Sequence, residues 1–269
     1  MKLWYQSMSR QAEWGDYPRV LRGILDKARD PETEIHVAGI TEIGGVVDQF
    51  RYLEYLETGE VLKNVHRAVR EGFDAFLIGN IADPGLQEAR EIADIPVLGL
   101  CESALHVACM MGASFSLVTI NEKFTPRIVE NVRRYGLVDR MAAVNPMQVD
   151  RLTDLGAGFE PGPARDAIVA QFENAAQANA RAGAEVVIAA GGVVMALLAH
   201  AEIHEAAGMP ILNGITNLVK LGEMSVKTNR LMGGRFTSKR CSYAPPPPGQ
   251  IVEFRKHYGA DIYPTVKEA

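Results

Sequence analysis

Cys101 is the residue whose type and position suggest chemistry most directly. It stands where a run of small and branched residues, 96–100, meets a stretch with helical spacing, 102–111. The dipole at the N-terminus of a helix favours the thiolate form of a cysteine, and the thiolate is the nucleophile. We therefore expect Cys101 to be a nucleophile or an acid–base group. The alternative is an inert core cysteine, because cysteine is among the most buried residue types.

Two neighbours of Cys101 add to this interpretation. The string Gly99-Leu-Cys-Glu-Ser103 is similar to the Gly-x-Cys-x-Gly elbow of class I glutaminases, with a serine in place of the second glycine. Glu102 and His106 stand four residues apart, so one helix face would carry both, and a shared hydrogen bond could fix the imidazole. We expect Glu102 to take part in proton transfer, with a surface pair of no catalytic meaning as the alternative.

These residues belong to a regular alternation of strand and helix patterns. Short β-branched runs occur at residues 2–8, 34–40, 75–80, 96–101, 114–120, 141–144, 184–190 and 210–214. Apolar residues at helical spacing occur between them, for example at 17–28, 61–70, 84–92, 125–135 and 165–182. The alternation predicts an α/β fold of βαβ units, with mostly parallel sheets covered by helices on both faces.

The carboxyl ends of the predicted strands indicate where a ligand binds, because ligands of parallel sheets sit beyond those ends. The ends lie at residues 6–9, 80–81, 101–102, 119–121, 191–192 and 213–216. We expect the substrate-binding residues to be Ser7, Asn80, Ile81, Thr119, Gly191 and Gly192. The hydroxyl and amide groups of this set can donate to carboxylate or imide oxygens. The two glycines leave room for a ligand or let backbone N–H groups hold an oxyanion.

The sequence contains an internal repeat. Residues 70–80 align without gaps with residues 181–191, with Arg, Gly, an acid, an apolar run and a small residue in step. The following helices lead into Ile95-Pro-Val-Leu98 in one half and Met209-Pro-Ile-Leu212 in the other. We predict two similar Rossmann-like lobes, residues 1–112 and 113–231, related by a pseudo-twofold axis. The active site would lie in the cleft between them, and the lobes could exchange terminal elements.

Residues 232–269 are expected to form a C-terminal tail. After Met232 the alternation ends in two glycines, a basic pair at Lys239 and Arg240, and four consecutive prolines at 245–248. Consecutive prolines favour an extended polyproline arm. The arm would either embrace a second subunit or lie on its own domain; a ligand for a proline-binding module is a third alternative.

Composition and charge exclude several function classes. The 269 residues include 28 basic and 33 acidic ones, a net charge of −5 without a dense basic cluster, so nucleic acid is not an expected partner. Three cysteines without paired spacing indicate a reducing compartment, and we expect a cytoplasmic location. The start of the sequence does not resemble a signal peptide. The apolar run 186–199 is shorter than the roughly 18 to 20 residues that span a bilayer, so no membrane contact is expected.

Missing motifs narrow the activity further. The sequence has no Gly-x-x-x-x-Gly-Lys-Ser/Thr loop, no strand-following Gly-x-Gly-x-x-Gly and no Gly-x-Ser-x-Gly elbow. Nucleotide hydrolysis, dinucleotide redox chemistry and serine hydrolysis are therefore disfavoured. His200 and His204 stand four apart on a predicted helix, where two imidazoles could share a metal. No third ligand accompanies them in the sequence, so we expect no metal site.

Four segments along the chain form a distinctive set. They are Asn80-Ile-Ala-Asp-Pro-Gly85, Ile95-Pro-Val-Leu-Gly-Leu-Cys-Glu-Ser-Ala104, Ser114-Phe-Ser-Leu-Val-Thr119 and Gly183-Ala-Glu-Val-Val-Ile-Ala-Ala190. In content and order they resemble the aspartate/glutamate/hydantoin racemase superfamily, closest to its hydantoin racemase branch, over roughly residues 1–230. The resemblance implies a two-lobed enzyme without pyridoxal phosphate or metal, a small carboxylate or cyclic ureide bound between the lobes, and a homo-oligomer.

The resemblance also shows where this sequence departs from the superfamily. In its racemases two cysteines face each other across the substrate; one thiolate removes a proton next to a carbonyl, and the other thiol returns one to the opposite face. By motif position these cysteines would fall at Asn80 and at Gly191 or Gly192. Asparagine and glycine cannot act as general bases near neutral pH, so two-thiol racemisation is not expected.

Three hypotheses of function follow. The leading one is a cofactor-independent isomerase or racemase-like enzyme that stabilises an enolate-like intermediate on a small carboxylate, lactam or cyclic ureide, with Cys101 as its acid–base group or nucleophile. The second is a hydrolase or lyase that depends on Cys101. The third is a catalytically silent metabolite-binding protein that has kept the cleft.

Overall fold

The structure is a computed structural model that describes residues 1–46 and 49–266. Strands and helices alternate along the chain as the sequence predicts. The strands are β1 (Lys2–Gln6), β2 (Glu34–Ala38), β3 (Ala75–Ile78), β4 (Val97–Gly99), β5 (Phe115–Thr119), β6 (Met141–Pro146), β7 (Val186–Ala190), β8 (Glu205–Ala206) and β9 (Met209–Leu212). The helices are α1 (Tyr17–Ala28), α2 (Arg51–Arg70), α3 (Leu86–Ile92), α4 (Leu100–Met111), α5 (Thr125–Arg134), α6 (Pro163–Arg181), α7 (Gly192–His200), α8 (Gly214–Leu231) and α9 (Pro248–Tyr258).

The N-terminal lobe is built on a parallel sheet of strand order β2-β1-β3-β4. Every residue of the inner strand β3 is buried, and so are Leu3, Trp4 and Tyr5 of β1. Helices cover both faces of such a sheet, so its inner strands are continuous apolar runs rather than alternating ones. This is why the short β-branched runs of the sequence predicted the strands well.

The C-terminal lobe repeats this arrangement. Its sheet has the order β6-β5-β7-β9-β8, with β6, β5, β7 and β9 parallel and the short β8 antiparallel to β9. The first four parallel strands of each lobe thus occupy equivalent places, and the two copies of the sequence repeat lead into the equivalent strands β3 and β7. The predicted fold class, an α/β fold of two similar lobes with parallel sheets, is confirmed.

Helix α8 connects the lobes. It follows β9 of the second sheet but packs against β3 and α4 of the first lobe. Gly222 permits this close approach, because a Cβ at that position would lie 2.9 Å from Cδ2 of Leu77 on β3. The larger apolar cluster of the protein consequently runs through both lobes, and a smaller cluster lies on the other side of the first sheet.

The C-terminal tail lies on the N-terminal lobe of its own chain. Lys239 Nζ donates to three backbone carbonyl oxygens at the end of α3, at 2.6, 3.0 and 2.6 Å, and the Tyr263 hydroxyl donates to Glu91 of the same helix at 2.5 Å. Residues 244–247 have no helical or strand structure, in keeping with the proline pattern. Pro248, however, begins α9, because the fixed φ of proline suits the first turn of a helix. The predicted extended arm is therefore shorter than expected. Residues 267–269 of the predicted tail lie outside the described part of the chain.

In the described residues, we find no helix with the length and apolarity that a bilayer crossing requires. The apolar run at 186–199 instead divides between β7 and α7, and most of its residues are buried in the core.

Candidate functional site

A cavity lies between the lobes, at the carboxyl ends of β1, β3, β5 and β7. The beginnings of α1 and α7 and the 3-10 segment Leu152–Phe159 complete its walls. Its volume is about 50 Å³, which is room for about four waters or one small ring. Its lining residues are Ser7, Met8, Ser9, Trp14, Tyr17, Gly79, Asn80, Ile81, Ile120, Phe124, Leu152, Leu155, Gly191, Gly192 and Val193.

The polar groups of the cavity come mainly from two turns. After β1, the hydroxyl oxygens of Ser7 and Ser9 lie 2.8 Å apart, and the Ser9 backbone N–H donates to the Ser7 oxygen at 3.2 Å. After β3, Asn80 Oδ1 accepts from the backbone N–H of Ala82 at 2.8 Å, a local turn that orients the amide. No Asp, Glu, Lys, Arg or His occurs among the described lining residues. The cavity is therefore polar at two places and uncharged.

Glycines from the two lobes face each other across the cavity. The carbonyl oxygen of Gly79, at the end of β3, lies 3.8 Å from the point where a Cβ on Gly192 would lie. The Tyr17 hydroxyl oxygen lies 3.6 Å from the same point. A Cβ on Gly191 would instead lie 2.7 Å from Cγ2 of Ile120. Position 192 thus has room for a side chain that position 191 lacks.

Two phenols stand beside these glycines. Tyr17, at the start of α1, lines the cavity directly. Tyr5, on β1, is fully buried; its hydroxyl oxygen lies 2.5 Å from the point where a Cβ on Gly79 would lie, and it has no hydrogen-bond partner among the described residues. Burial, and secondarily the neighbouring Tyr17, raise the pKa of Tyr5 well above its ordinary value. Tyr5 is therefore a protonated phenol at any pH near neutral.

The structure brings part of the predicted binding set together. The predicted residues that line the cavity are Ser7, Asn80, Ile81, Gly191 and Gly192. Thr119 is not among them. It is fully buried at the end of β5, and its hydroxyl pairs with that of Thr125 at 2.5 Å. A hydroxyl satisfied inside its own lobe has no geometry for a ligand in the cavity.

The structure does not support the prediction of a reactive Cys101. Helix α4 begins at Leu100, so Cys101 lies in its first turn as expected, but the residue is fully buried and outside the cavity lining. Burial, and then the neighbouring Asp83 carboxylate, raise the pKa of the Cys101 thiol well above its ordinary value. A buried, protonated thiol is inert. The helix-terminus argument failed because desolvation outweighs the helix dipole at this position.

Glu102 has a structural partner instead of a catalytic one. Its carboxylate forms a bidentate, largely buried ion pair with the Arg90 guanidinium, with Nη1 at 3.0 Å from Oε1 and a shorter second contact. His106 Nδ1 lies 2.8 Å from the backbone oxygen of Glu102, not from the carboxylate. Glu102 does not line the cavity. The expected role in proton transfer is therefore not supported, and the pair joins α3 to α4.

The helix predicted to carry both His200 and His204 is shorter than expected. Helix α7 ends at His200, and His204 follows in the loop directly before β8. The two imidazoles therefore do not share a helix face. Within residues 1–46 and 49–266, no group of three or more His, Cys, Asp or Glu side chains is arranged to hold a metal ion.

The aromatic and aliphatic walls of the cavity were missed by the sequence analysis. Trp14 donates its indole N–H to the Gly45 carbonyl at 2.6 Å, and its ring lies 5.8 Å from that of Tyr17, centroid to centroid. Phe124 and Leu155 close the side of the second lobe. These residues lie in turns, at the start of α1 and within the 3-10 segment, which an argument from strand ends does not reach. Aromatic residues immediately before the predicted helix 17–28 were the available signal.

Comparison with known proteins identifies relatives of this chain in sequence and in fold. The family model described as Asp/Glu/Hydantoin racemase matches residues 19–222. A hydantoin racemase of Pseudomonas sp. strain NS671 is 31% identical over 233 residues, covering 85% of this chain and 86% of the relative. A hydantoin racemase of Rhizobium meliloti is 31% identical over 194 residues, covering 72% and 75%.

Solved structures agree with these sequence relatives in fold. An allantoin racemase from Klebsiella pneumoniae superposes with a TM-score of 0.77 at 23% identity, covering 91% of this chain and 94% of that one. An allantoin racemase from Pseudomonas fluorescens superposes with a TM-score of 0.75 at 25% identity, covering 92% and 98%. The two-lobed architecture is shared over nearly the whole length of each chain.

Proposed function

Because the chain belongs to the Asp/Glu/hydantoin racemase family and is an enzyme of that superfamily, we propose that its interlobe cavity binds a neutral cyclic ureide or lactam and stabilises an enolate-like intermediate on it. The observation that carries this proposal is the uncharged lining. A free carboxylate buried without a cationic partner would lose its hydration uncompensated. A ureide is neutral and presents N–H and C=O groups that Ser7, Ser9 and Asn80 can match.

The names of the relatives support this choice of substrate class. The sequence relatives are hydantoin racemases and the structural ones allantoin racemases, and both substrates are cyclic ureides. In such a ring, the hydrogen on the carbon next to a carbonyl is acidic because the carbanion is delocalised onto the carbonyl oxygen. Donors placed at that oxygen lower the barrier by stabilising the developing charge. In the proposal, the donors at that oxygen are the hydroxyls of Ser7 and Ser9 and the backbone N–H groups at the start of α7.

The proposed proton donor is Tyr17. The described lining contains no thiol. The positions where the resemblance implies cysteines are Asn80 and Gly191 or Gly192, and Cys101 is buried outside the cavity. Tyr17 is the one ionisable side chain of that lining. Its hydroxyl stands beside Gly192. In the proposal, hydroxide or water admitted to the cavity accepts the C5 proton, and the electron pair of the C–H bond passes onto the carbonyl oxygen as the enolate forms. The Tyr17 hydroxyl then donates a proton to C5 and is reprotonated from solvent. This chemistry is cofactor-independent and asymmetric, in contrast to exchange between two thiols.

The test is hydrogen exchange on a defined substrate. A single enantiomer of a 5-substituted hydantoin is incubated with the enzyme in D₂O, and deuterium at C5 is followed by NMR while optical activity is followed by circular dichroism. We expect deuterium to enter faster than with heat-denatured enzyme, and Tyr17→Phe to slow its entry by about 10²-fold or more, the usual contribution of a general acid. L-aspartate is the matched carboxylate comparison, for which no exchange is expected.

Two outcomes would contradict the proposal. Exchange on aspartate but not on the hydantoin would show that the cavity takes carboxylates. Binding of the hydantoin can be followed by Trp14 fluorescence in a Trp4→Phe background. Binding without any exchange would show that the protein binds the hydantoin but does not catalyse this reaction. Trp14 lines the cavity, whereas Trp4 lies in a separate apolar cluster, so the reporter is specific.

A further inference from the structure

The turn after β3 carries part of the cavity wall. Asn80 and Ile81 line the cavity, and two residues later Asp83 has a φ of 51°, in the left-handed region that residues other than glycine seldom adopt. A backbone in this conformation persists only where its surroundings hold it. The contacts of residues 80–83 therefore determine where Asn80 and Ile81 stand.

One face of α5 supplies these contacts from the second lobe. Arg127, Asn131 and Tyr135 are spaced four residues apart at and just after this helix, so their side chains project on one side. Arg127 Nη2 donates to the Ala82 carbonyl oxygen at 2.7 Å, and Asn131 Nδ2 donates to the same oxygen at 2.9 Å. The carbonyl in the middle of the turn is thus held by two donors of the other lobe.

Asp83 completes the attachment of the turn. The Tyr135 hydroxyl donates to Asp83 Oδ2 at 2.6 Å. The backbone N–H groups of Cys101 and Glu102, in the first turn of α4, donate to Oδ1 and Oδ2 at 2.9 Å each. Gly99 leaves space for the carboxylate, because a Cβ there would lie 2.5 Å from Oδ1. One buried carboxylate therefore joins the turn to α4 and to the end of α5.

We propose that Asp83 and Tyr135 are positioning residues of the interlobe cavity. Through their hydrogen bond, the second lobe fixes the turn that presents Asn80 and Ile81 to the ligand. The effect of this hydrogen bond on catalysis rests on the proposed function, because it requires a substrate that contacts Asn80. The shape of the turn itself can be measured without a substrate.

The protonation state of Asp83 governs this contact. The groups that face it are Tyr135 from α5 and the Cys101 thiol and Glu102 from α4; Glu102 is paired with Arg90, and Arg127 of α5 with Glu54. Burial raises the pKa of Asp83 to about 7, although its three hydrogen bonds oppose the rise. The carboxylate accepts from all three donors, whereas the neutral acid accepts from the two backbone N–H groups and donates its own proton to the Tyr135 hydroxyl oxygen. Because the raised pKa means that the folded protein favours the neutral acid over the carboxylate, the turn is held most firmly below pH 7.

Amide hydrogen exchange tests the inference on the full chain. Between pH 6 and 8.5, after correction for intrinsic rates, we expect protection of the Cys101 and Glu102 amides to fall with pH, with a midpoint near 7, because a local opening that hydrates Asp83 becomes easier as its carboxyl ionises. Tyr135→Phe should speed their exchange about fivefold and move the midpoint to higher pH, because it removes a bond that favours the ionised form. Asp83→Asn should abolish the pH dependence, and asparagine tolerates the left-handed conformation.

Tyr263→Phe is the matched control. It removes a hydrogen bond of the same kind, between Tyr263 and the Glu91 carboxylate in the tail, without touching the turn. We expect wild-type exchange from this variant. Exchange in Tyr135→Phe that is identical to the control, in rate and midpoint, would overturn the inference. If Asp83→Asn does not fold, the comparison of the two tyrosine variants decides alone.

Turnover of the hydantoin distinguishes this inference from the proposed function. In Tyr135→Phe we expect kcat to fall about 10- to 100-fold with KM changed less than about threefold, because a displaced Asn80 misorients bound substrate. Equal kcat in Tyr135→Phe and Tyr263→Phe would overturn the positioning role and would leave the proposed activity on the hydantoin intact. A loosened turn in a protein that never processes a hydantoin would support the positioning role and reject the proposed substrate.

Discussion

Tyr5 shows what an unpaired polar atom does to stability. Its buried hydroxyl lacks a partner among the described residues, so folding removes it from water without compensation. We expect Tyr5→Phe to leave the free energy of unfolding unchanged or to raise it by up to about 2 kcal/mol. Urea denaturation measures this change. Tyr135→Phe is the comparison and should lower the same quantity by about 2 kcal/mol, because it removes a hydrogen-bond partner of the buried Asp83 carboxyl group.

A loss of stability in Tyr5→Phe as large as that in Tyr135→Phe would show that an ordered water satisfies the Tyr5 hydroxyl. The same variant also reports on the ligand. If Tyr5 Oη donates to a bound ureide through the gap beside Gly79, the variant is stable but binds more weakly.

Position 192 is the place in the cavity where a thiol fits. A Cβ there meets only the Tyr17 hydroxyl and the Gly79 carbonyl, at 3.6 and 3.8 Å, whereas a Cβ at Gly191 overlaps Ile120 at 2.7 Å. We expect Gly192→Cys to fold with unchanged stability, within about 0.5 kcal/mol. Gly191→Cys should lose about 1 to 3 kcal/mol through overpacking. Thermal unfolding of both variants checks the difference.

The same substitution tests the correspondence of these positions with the family's cysteines. In Asn80→Cys/Gly192→Cys, two thiols would face the cavity from opposite lobes. Exchange of the substrate C5 hydrogen that is about tenfold faster in the double variant than in either single one would support the correspondence. Equal rates in the three variants would count against it.

At the scale of elements, two ion pairs between α2 and α5 differ in burial and should differ in energy. Arg127 binds Glu54 through several hydrogen bonds, and both side chains are about 10% exposed, at 11% and 10%. Arg51 binds Glu130 on the same two helices, but these side chains are 55% and 42% exposed. Removal of one partner leaves a buried charge in the first case and a hydrated charge in the second.

We therefore expect Arg127→Met to lower the free energy of unfolding by about 3 to 5 kcal/mol. Arg51→Met, the matched control, should lower it by less than about 1 kcal/mol. Denaturant unfolding at low and high salt measures both. Equal losses in the two variants would show that burial does not set the strength of these pairs.

Strands were predicted from the sequence more accurately than helix ends or side-chain placement. Inner strands such as β3 and β7 are short, fully buried and flanked by turns, so the one-dimensional pattern contains the information that folds them. The end of α7 could not be predicted from the sequence pattern in this way. The chain leaves the helix at His200, with a non-glycine residue, Glu202, at a φ of 57°, and no glycine or proline marks the exit.

The candidate site also has some features that the local sequence predicts and others that it does not. Residues directly after β1, β3 and β7 were predicted to line a cavity because parallel strands end on a common edge, and Ser7, Asn80 and Gly192 do so. Cys101 also follows a strand, β4, but β4 is the edge strand of its sheet and α4 packs over it. Whether a strand end opens to the cleft or to the core depends on its place in the sheet, which local sequence does not encode.

At the scale of the whole molecule, the two lobes are joined by contacts that a repeat in the sequence cannot reveal. Helix α8 lies on the first sheet although it follows the second, and α5 holds the turn after β3. The tail makes a separate contact with the first lobe, where Lys239 caps the end of α3. Because the cavity lies between these contacts, its shape depends on the relative placement of the lobes, and the lobes unfold together if they share one core.

Asp83 gives that common unfolding a pH dependence whose sign can be worked out. In the unfolded chain this carboxyl ionises near its ordinary pKa of 3.8, whereas burial raises the pKa in the folded protein to about 7. Between these values the folded state binds the proton and the unfolded state does not, so the free energy of unfolding falls as pH rises from about 4 to about 7. The contribution is up to about 4 kcal/mol.

Asp83→Asn removes this contribution while it keeps the size and backbone preference of the residue. Other groups titrate equally in both proteins, so the difference in unfolding free energy between wild type and variant isolates Asp83. We expect wild type to be the more stable protein at pH 4.5, because its neutral carboxyl can accept two hydrogen bonds and donate one, and we expect this advantage to shrink steadily towards pH 7.5. Chemical denaturation at several pH values measures it. A difference that does not change with pH would mean that Asp83 ionises at its ordinary pKa in the fold, and that the three donors around it, rather than its burial, dominate its electrostatics.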